Sequence, residues 1–175
     1  MKKWITALLI GLSVAALAVI GVLAAPPQAQ AFIITRTPFG PALQEAAKAA
    51  LSNFFRREQN FLTLQSNYIK RGGDVAITAQ NLIYSAKAEG KDTAPLETAL
   101  AQFETDVAGA QSANTAAAST LIVHDGFDGA GKVTDIQAAY QTDLSARLSL
   151  RNAHALMIQA ETTLRQAFDA WRKTN

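Results

Sequence analysis

Between Thr134 and Asn175 the chain carries two interlocked sevenfold repeats. Ile136, Leu150, Met157, Leu164 and Trp171 share one register, whose remaining position is Asp143. Three residues further on in each case, Ala139, Ala146, Ala153, Ala160 and Ala167 form a second register without a break. Spacings of three and four alternate down one face of an α-helix, so the pattern draws a narrow apolar seam of alternating large and small side chains, of the coiled-coil kind. Alanine at every second seam position lets a partner helix approach closely. The segment is therefore a packing instruction, and it commits the chain to helix on helix.

The first 31 residues carry a different message. Lys2 and Lys3 precede an uncharged apolar run from Ile5 to Ala25, and Ala29-Gln30-Ala31 has the small-x-small form of a signal-peptidase site. The expectation is a signal peptide over 1–31, cut before Phe32, and a protein that is exported to a periplasmic or extracellular location. The alternative is an uncleaved helical anchor, since about 20 apolar residues span a bilayer. Pro26-Pro27 ahead of the small-residue site favours cleavage, and membrane contact is expected only through this segment if it stays attached. The chain has no cysteine, which excludes disulfides, thiolate nucleophiles, lipidation of an N-terminal cysteine, c-type haem attachment and cysteine-held zinc or iron–sulfur centres. The formal net charge of +2 includes Lys2 and Lys3. Without them basic and acidic residues balance, so a pI near 9.0 is no sign of nucleic-acid binding.

After an extended leader, 32–40, residues 41–175 have the length and patterning of a single helical bundle domain. Pro41 suits the first position of a helix. From Ala42 onward Phe54, Phe61, Tyr68, Val75 and Leu82 lie seven apart, and the register runs through Gly72-Gly73. Glycine costs about 1 kcal/mol in a helix interior, and Gly followed by Asp74 could equally end one helix and cap another. Because a reversal has no reason to preserve the register, the expectation is one long helix, kinked or broken at the glycines and ending near Ala88. A four-helix bundle is the alternative. Gly90-Lys91-Asp92-Thr93 is a clear stop and restart, with Pro95 and Glu97 in the next first turn. Leu96, Leu100, Phe103, Val107, Ala110, Ala117 and Leu121 carry that second helix to about Val123, with Asn114 as a polar intruder. Thr134 and Gln137 have capping-box spacing at the start of the third. Lys48, Arg56, Arg57, Lys70 and Arg71 make the early part of the first helix basic, and the middle helix is acidic. That arrangement reads as charge complementarity within the bundle.

Chemistry-bearing patterns are few. Asp128 to Thr134 resembles the middle of an EF-hand loop, but aligning Gly131 with its turn glycine puts Gly126, Ala130 and Gln137 at ligand positions, so a glycine-rich turn is the reading. His124 falls at a helix end, while His154 and Met157 share a face and cannot hold a haem from opposite sides. No Glu-x-x-His pair is present. No catalytic, cofactor-binding or metal residues are therefore assigned, and no cofactor is expected. Asp143 in the seam, and Arg57 in the series Leu43, Ala47, Ala50, Phe54, Arg57, Phe61, Leu64, Tyr68, are candidates for fixing register. Asp143 tilting to solvent is the other reading.

Gly90 to Leu96 (GKDTAPL) and His124 to Asp135 (HDGFDGAGKVTD) look like pieces of uncharacterised exported helical proteins of bacteria, a resemblance that implies no activity. Leu62-Thr63-Leu64-Gln65 is similar to the Leu-Thr-x-x-Gln motif of Spy/CpxP-type periplasmic chaperones, one residue short of it. The analogy implies an all-helical, chaperone-like role in the cell envelope. The expected function is a non-enzymatic binding or scaffold module working through a protein partner or self-association. The alternative is a carrier of an apolar small ligand between helices. At 1.5 Å per residue the second helix falls short of the first. Residues 42–60 should then overhang, which makes Leu43, Leu51, Phe54 and Phe55 the candidate interaction surface.

Overall fold

The computed structural model describes residues 40–174. The expected signal peptide, and all of the extended leader except Gly40, lie outside them. Three helices follow one another, α1 (Pro41–Ala88), α2 (Ala94–Val123) and α3 (Ile136–Thr174). They form the antiparallel three-helix bundle that the periodicity predicts, with α1 and α3 running parallel on either side of the return helix. Short connections leave consecutive helices no other choice than to pack antiparallel. Among the described residues the extended pairing consists of an isolated antiparallel bridge between Phe127 and Val133.

α1 runs as one 48-residue helix through Gly72-Gly73, and the four-helix alternative is not formed. The two glycines differ in kind. A Cβ on Gly73 would meet nothing, whereas one on Gly72 would sit 2.9 Å from Met157 Cε and 3.4 Å from Val107 Cγ2. Gly72 is buried where α1 crosses the other two helices. Its missing side chain is what allows the close approach.

Capping explains most of the boundaries. Pro41 occupies the first position of α1. At the start of α2 the Asp92 carboxylate accepts from the Ala94 N–H at 3.0 Å. Glu97 accepts from the Thr93 hydroxyl at 2.8 Å and from Lys87 Nζ at 3.0 Å, the latter tying α2 to α1. The start of α3 departs from the expected capping box. Asp135, not Thr134, provides the cap, its carboxylate accepting from the Ala138 N–H at 2.9 Å, while the Thr134 N–H is turned back to Gly126 O at 2.8 Å. Gly126 has φ +82°, and a Cβ there would run into the backbone of Ala138 and Ala139. Both the conformation and the space demand glycine.

The core is a column of layers. Toward the α2 start, Ile83, Leu96, Phe103, Leu164 and Phe168 pack with Ala79, Ala99 and Ala160. Tyr68, Ile69, Ala110, Ala153 and Met157 follow, then Phe61, Ala117 and Leu150. Leu51, Phe55, Leu121, Phe127, Ala139 and Ala146 close the other end. Four of the five seam alanines, Ala139, Ala146, Ala153 and Ala160, are completely buried, as are Ala110 and Ala117 on α2. The α2–α3 pair thus packs alanine against alanine, more closely than either helix packs on α1. Leu150 and Met157, also fully buried, each contribute about 1.5–3 kcal/mol through removal of apolar surface from water.

Two expectations about α1 change. In its first half the buried line is Leu51, Phe55, Phe61 and Gln65, not the series through Phe54 and Arg57. Arg57 is exposed and Leu64 is 57 % exposed, so Arg57 is not a seam residue. The overhang is also shorter than predicted. Leu51 and Phe55 are covered by Leu121 and Phe127, with Val133 and Ile136 packed alongside, because the α2–α3 connection folds back over α1 instead of ending at the last residue of α2. The Phe55 and Phe127 rings stack at 4.3 Å between centroids. None of the residues Pro41 to Ala50 is buried.

Candidate functional site

The exposed start of α1 presents Leu43, Ala47, Ala50 and Phe54 at spacings of four, three and four, which places them on one helix face. Leu43 is 60 % exposed and Phe54 36 %. The remaining two predicted surface residues, Leu51 and Phe55, lie in the core instead. The sequence pattern predicts this face as part of the seam, yet no helix of the bundle covers its first ten residues.

Where the stripe meets the bundle, charged residues close it off. Asp143 on α3 is buried, so its side chain does not tilt to solvent. Arg147, one turn further on, donates from Nη2 to Asp143 Oδ2 at 2.9 Å and from Nε to Glu58 Oε1 of α1 at 3.0 Å. Its guanidinium also lies 5.1 Å from the centre of the Phe54 ring. Asp143 Oδ1 is buried without a hydrogen-bond partner. Burial pushes the Asp143 carboxyl up to about 6; Arg147 pulls it down, Glu58 adds to the rise and Arg57 offsets some of it. Arg57 therefore acts on Asp143 only through space, and Arg147 is the residue that holds the corner together. The sequence signal for it was present, since Asp143 and Arg147 are opposite charges at i, i+4.

A second polar group lies midway along the bundle. Gln65 is almost fully buried on α1, and Asn114 of α2 donates to Ser66 Oγ at 2.9 Å. His154 of α3 is buried between Phe61 and Tyr68, with ring centroids 6.1 and 6.3 Å away. Burial lowers its pKa from the usual histidine value and so favours the neutral ring. Tyr68 and Glu161 interact across α1 and α3, and burial raises the pKa of both groups. These side chains join α1 to α2 and to α3. Sequence reasoning flagged Asn114 and His154 and missed the burial of Gln65, which lies between the exposed residues Leu64 and Ser66.

The glycine loop between α2 and α3 is built around Asp128. Its Oδ1 accepts from the Ala130 and Lys132 N–H groups at 2.9 and 2.8 Å. These backbone bonds, that to Lys132 foremost, hold the carboxyl below its usual range. The carboxylate is thus engaged in shaping the turn. His124 ends α2 in the left-handed conformation, φ +46°, with Nδ1 2.6 Å from Ile122 O. Among the described residues no three His, Asp or Glu side chains converge as a metal site would require. No described helix is long and apolar enough to cross a membrane.

The candidate site is accordingly a surface, an apolar helical stripe edged by an ion-paired corner. No protein-family model, curated protein or solved structure matches the chain.

Proposed function

We propose that this protein is a non-enzymatic exported binding or scaffold module that engages a helical protein partner, or a second copy of itself, through the start of α1. The single observation that carries the reading is the stripe Leu43, Ala47, Ala50 and Phe54, four apolar residues on one helix face none of which is buried, with Leu43 60 % exposed. Alanines at 47 and 50 suit the close approach of another helix, as the α2–α3 alanines do within the bundle. Leu43 and Phe54 supply larger anchors at the two ends of the stripe. Export by an N-terminal signal is the compartment that fits the leader pattern and the lack of cysteine. A chaperone-like role in the cell envelope is the biological setting this suggests.

The test is site-specific photo-crosslinking in the producing cell. A crosslinking amino acid at Ala47 is expected to give a discrete adduct. The same group at Ala108, exposed on α2, is expected to give none. Absence of an adduct at Ala47, or the same yield at both positions, would overturn the proposal.

A further inference from the structure

At the end of the bundle opposite the stripe, the parallel helices α1 and α3 stand apart above Leu96 of α2, and a cleft of about 420 Å³ opens between them. Its apolar wall consists of Leu82, Ala86, Leu96, Phe168 and Trp171. The rim on the α1 side carries Thr78, Asn81 and Ser85, one helix edge at successive turns. Cavities of this size, mostly apolar with a few polar groups along an edge, are the usual form of small-molecule sites.

The charges around the cleft decide what kind of molecule it suits. Lys91, the cation among the lining residues, is paired with Glu89 at 3.2 Å and lies 5.5 Å from the centre of the Trp171 ring. The site therefore offers no uncommitted positive charge. α1 and α3 both end here, so the negative ends of two helix dipoles face the mouth. Both features act against an anion such as a fatty-acid carboxylate; of the basic side chains in the two last turns, Lys87 is paired with Glu97 and Arg172 with Asp169, and Lys173 is exposed. The α1 edge at Thr78, Asn81 and Ser85 is polar without being charged, and the charged lining residues, Glu89 and Lys91, are paired with each other. Thr78 and Ser85 donate their hydroxyl protons to Asp74 O and Asn81 O, at 2.9 and 3.0 Å, and keep oxygen lone pairs facing outward. The wall itself is held in place, because Trp171 Nε1 donates to Asp92 O at 2.6 Å.

We infer that this cleft binds an uncharged, predominantly apolar small molecule whose polar end meets the Thr78, Asn81 and Ser85 edge. The site shares no residue with the α1 stripe, so the two readings stand or fall separately.

Two probes with the same ring system test it: neutral N-phenyl-1-naphthylamine and its sulfonated, anionic relative 8-anilino-1-naphthalenesulfonate. Of the two tryptophans, Trp4 and Trp171, the protein beginning at Phe32 keeps only Trp171, which makes energy transfer from it a report of binding in the cleft. The neutral probe is expected to bind saturably with transfer from Trp171, at least tenfold more tightly than the sulfonated one. Asn81 and Ser85 are exposed, so Asn81→Arg and Ser85→Arg can obstruct the mouth without entering the core. Circular dichroism confirms folding, and at least a tenfold loss of neutral-probe binding in either folded variant supports the site. Failure of the neutral probe to saturate, equal binding of the anion, or undiminished binding in both arginine variants would overturn it.

Discussion

Burial and Arg147 pull the Asp143 carboxyl in opposite directions, and the balance lies with burial, since its pKa stands near 6 instead of 3.8. Below its unfolded pKa the group is neutral in both states and costs nothing. As pH rises from about 4 to about 6 the unfolded chain ionises first, and stability falls. The full shift sets an upper bound of about 3 kcal/mol for that loss. Glu161, also raised by burial, adds to the same trend. His154 works against it: with a depressed pKa, its contribution is present above pH 6.5 and is lost as the solution is acidified. Urea denaturation at pH 4.5 and pH 7.5 separates them. Asp143→Asn should remove a fall in stability between those values, and His154→Gln should remove a rise; an unchanged pH profile in Asp143→Asn would contradict the assignment. Arg147→Met leaves a buried carboxylate without its counter-charge. Because Arg147 keeps a side-chain exposure of 32 %, the expected cost at pH 7.5 is about 2 kcal/mol, below the usual range for breaking fully buried pairs.

At the scale of the helices, the two adjacent glycines provide an internal control. Gly73→Ala meets open space and should stabilise the protein by about 1 kcal/mol through helix propensity alone. Gly72→Ala gains the same propensity but must move Met157, so its benefit should be smaller, and Gly72→Leu should cost about 1–3 kcal/mol as overpacking at the crossing. Thermal denaturation of the three variants gives the order directly. The α3 cap offers a second comparison. Asp135→Ala is expected to cost about 1 kcal/mol, while Gln137→Ala, which removes no cap in this structure, should be nearly neutral. Equal losses would restore the capping box. These elements also show what the sequence could convey. The seam alanines, the helix running on through the glycines and the break after Ala88 were legible because each is a local pattern repeated or punctuated strongly. The register of early α1 was not, because Leu51-Phe55 and Ala50-Phe54 are apolar lines one residue apart. Choosing between them depends on Phe127, which reaches Phe55 from a distant loop. The candidate site was legible only in part for the same reason: Leu43 and Phe54 stay exposed, while Leu51 and Phe55 are claimed by that loop.

The whole molecule is lopsided in consequence. α2 and α3 form a tight hairpin capped by the Phe127 loop, and α1 runs past that cap with Pro41 to Ala50 unburied. A helix in water gains little from propensity alone and depends on packing of its apolar face. A 48-residue α1 borrows stability for its first turns from the packed remainder, yet those turns still expose the Leu43 and Ala47 side of the stripe. The arrangement is suited to pairing two copies through their α1 starts, stripe against stripe, an isologous contact that closes on itself. Phe54 would sit at the inner edge of such a contact, beneath the Arg147 guanidinium. Sedimentation velocity on the protein beginning at Phe32 is expected to show reversible dimerisation at tens of micromolar. Ala47→Arg places a charge in the middle of the stripe and should return the protein to monomer without lowering its thermal stability at low concentration. A wild-type protein that stays strictly monomeric, or a dimer indifferent to Ala47→Arg, would mean that the stripe does not join two copies.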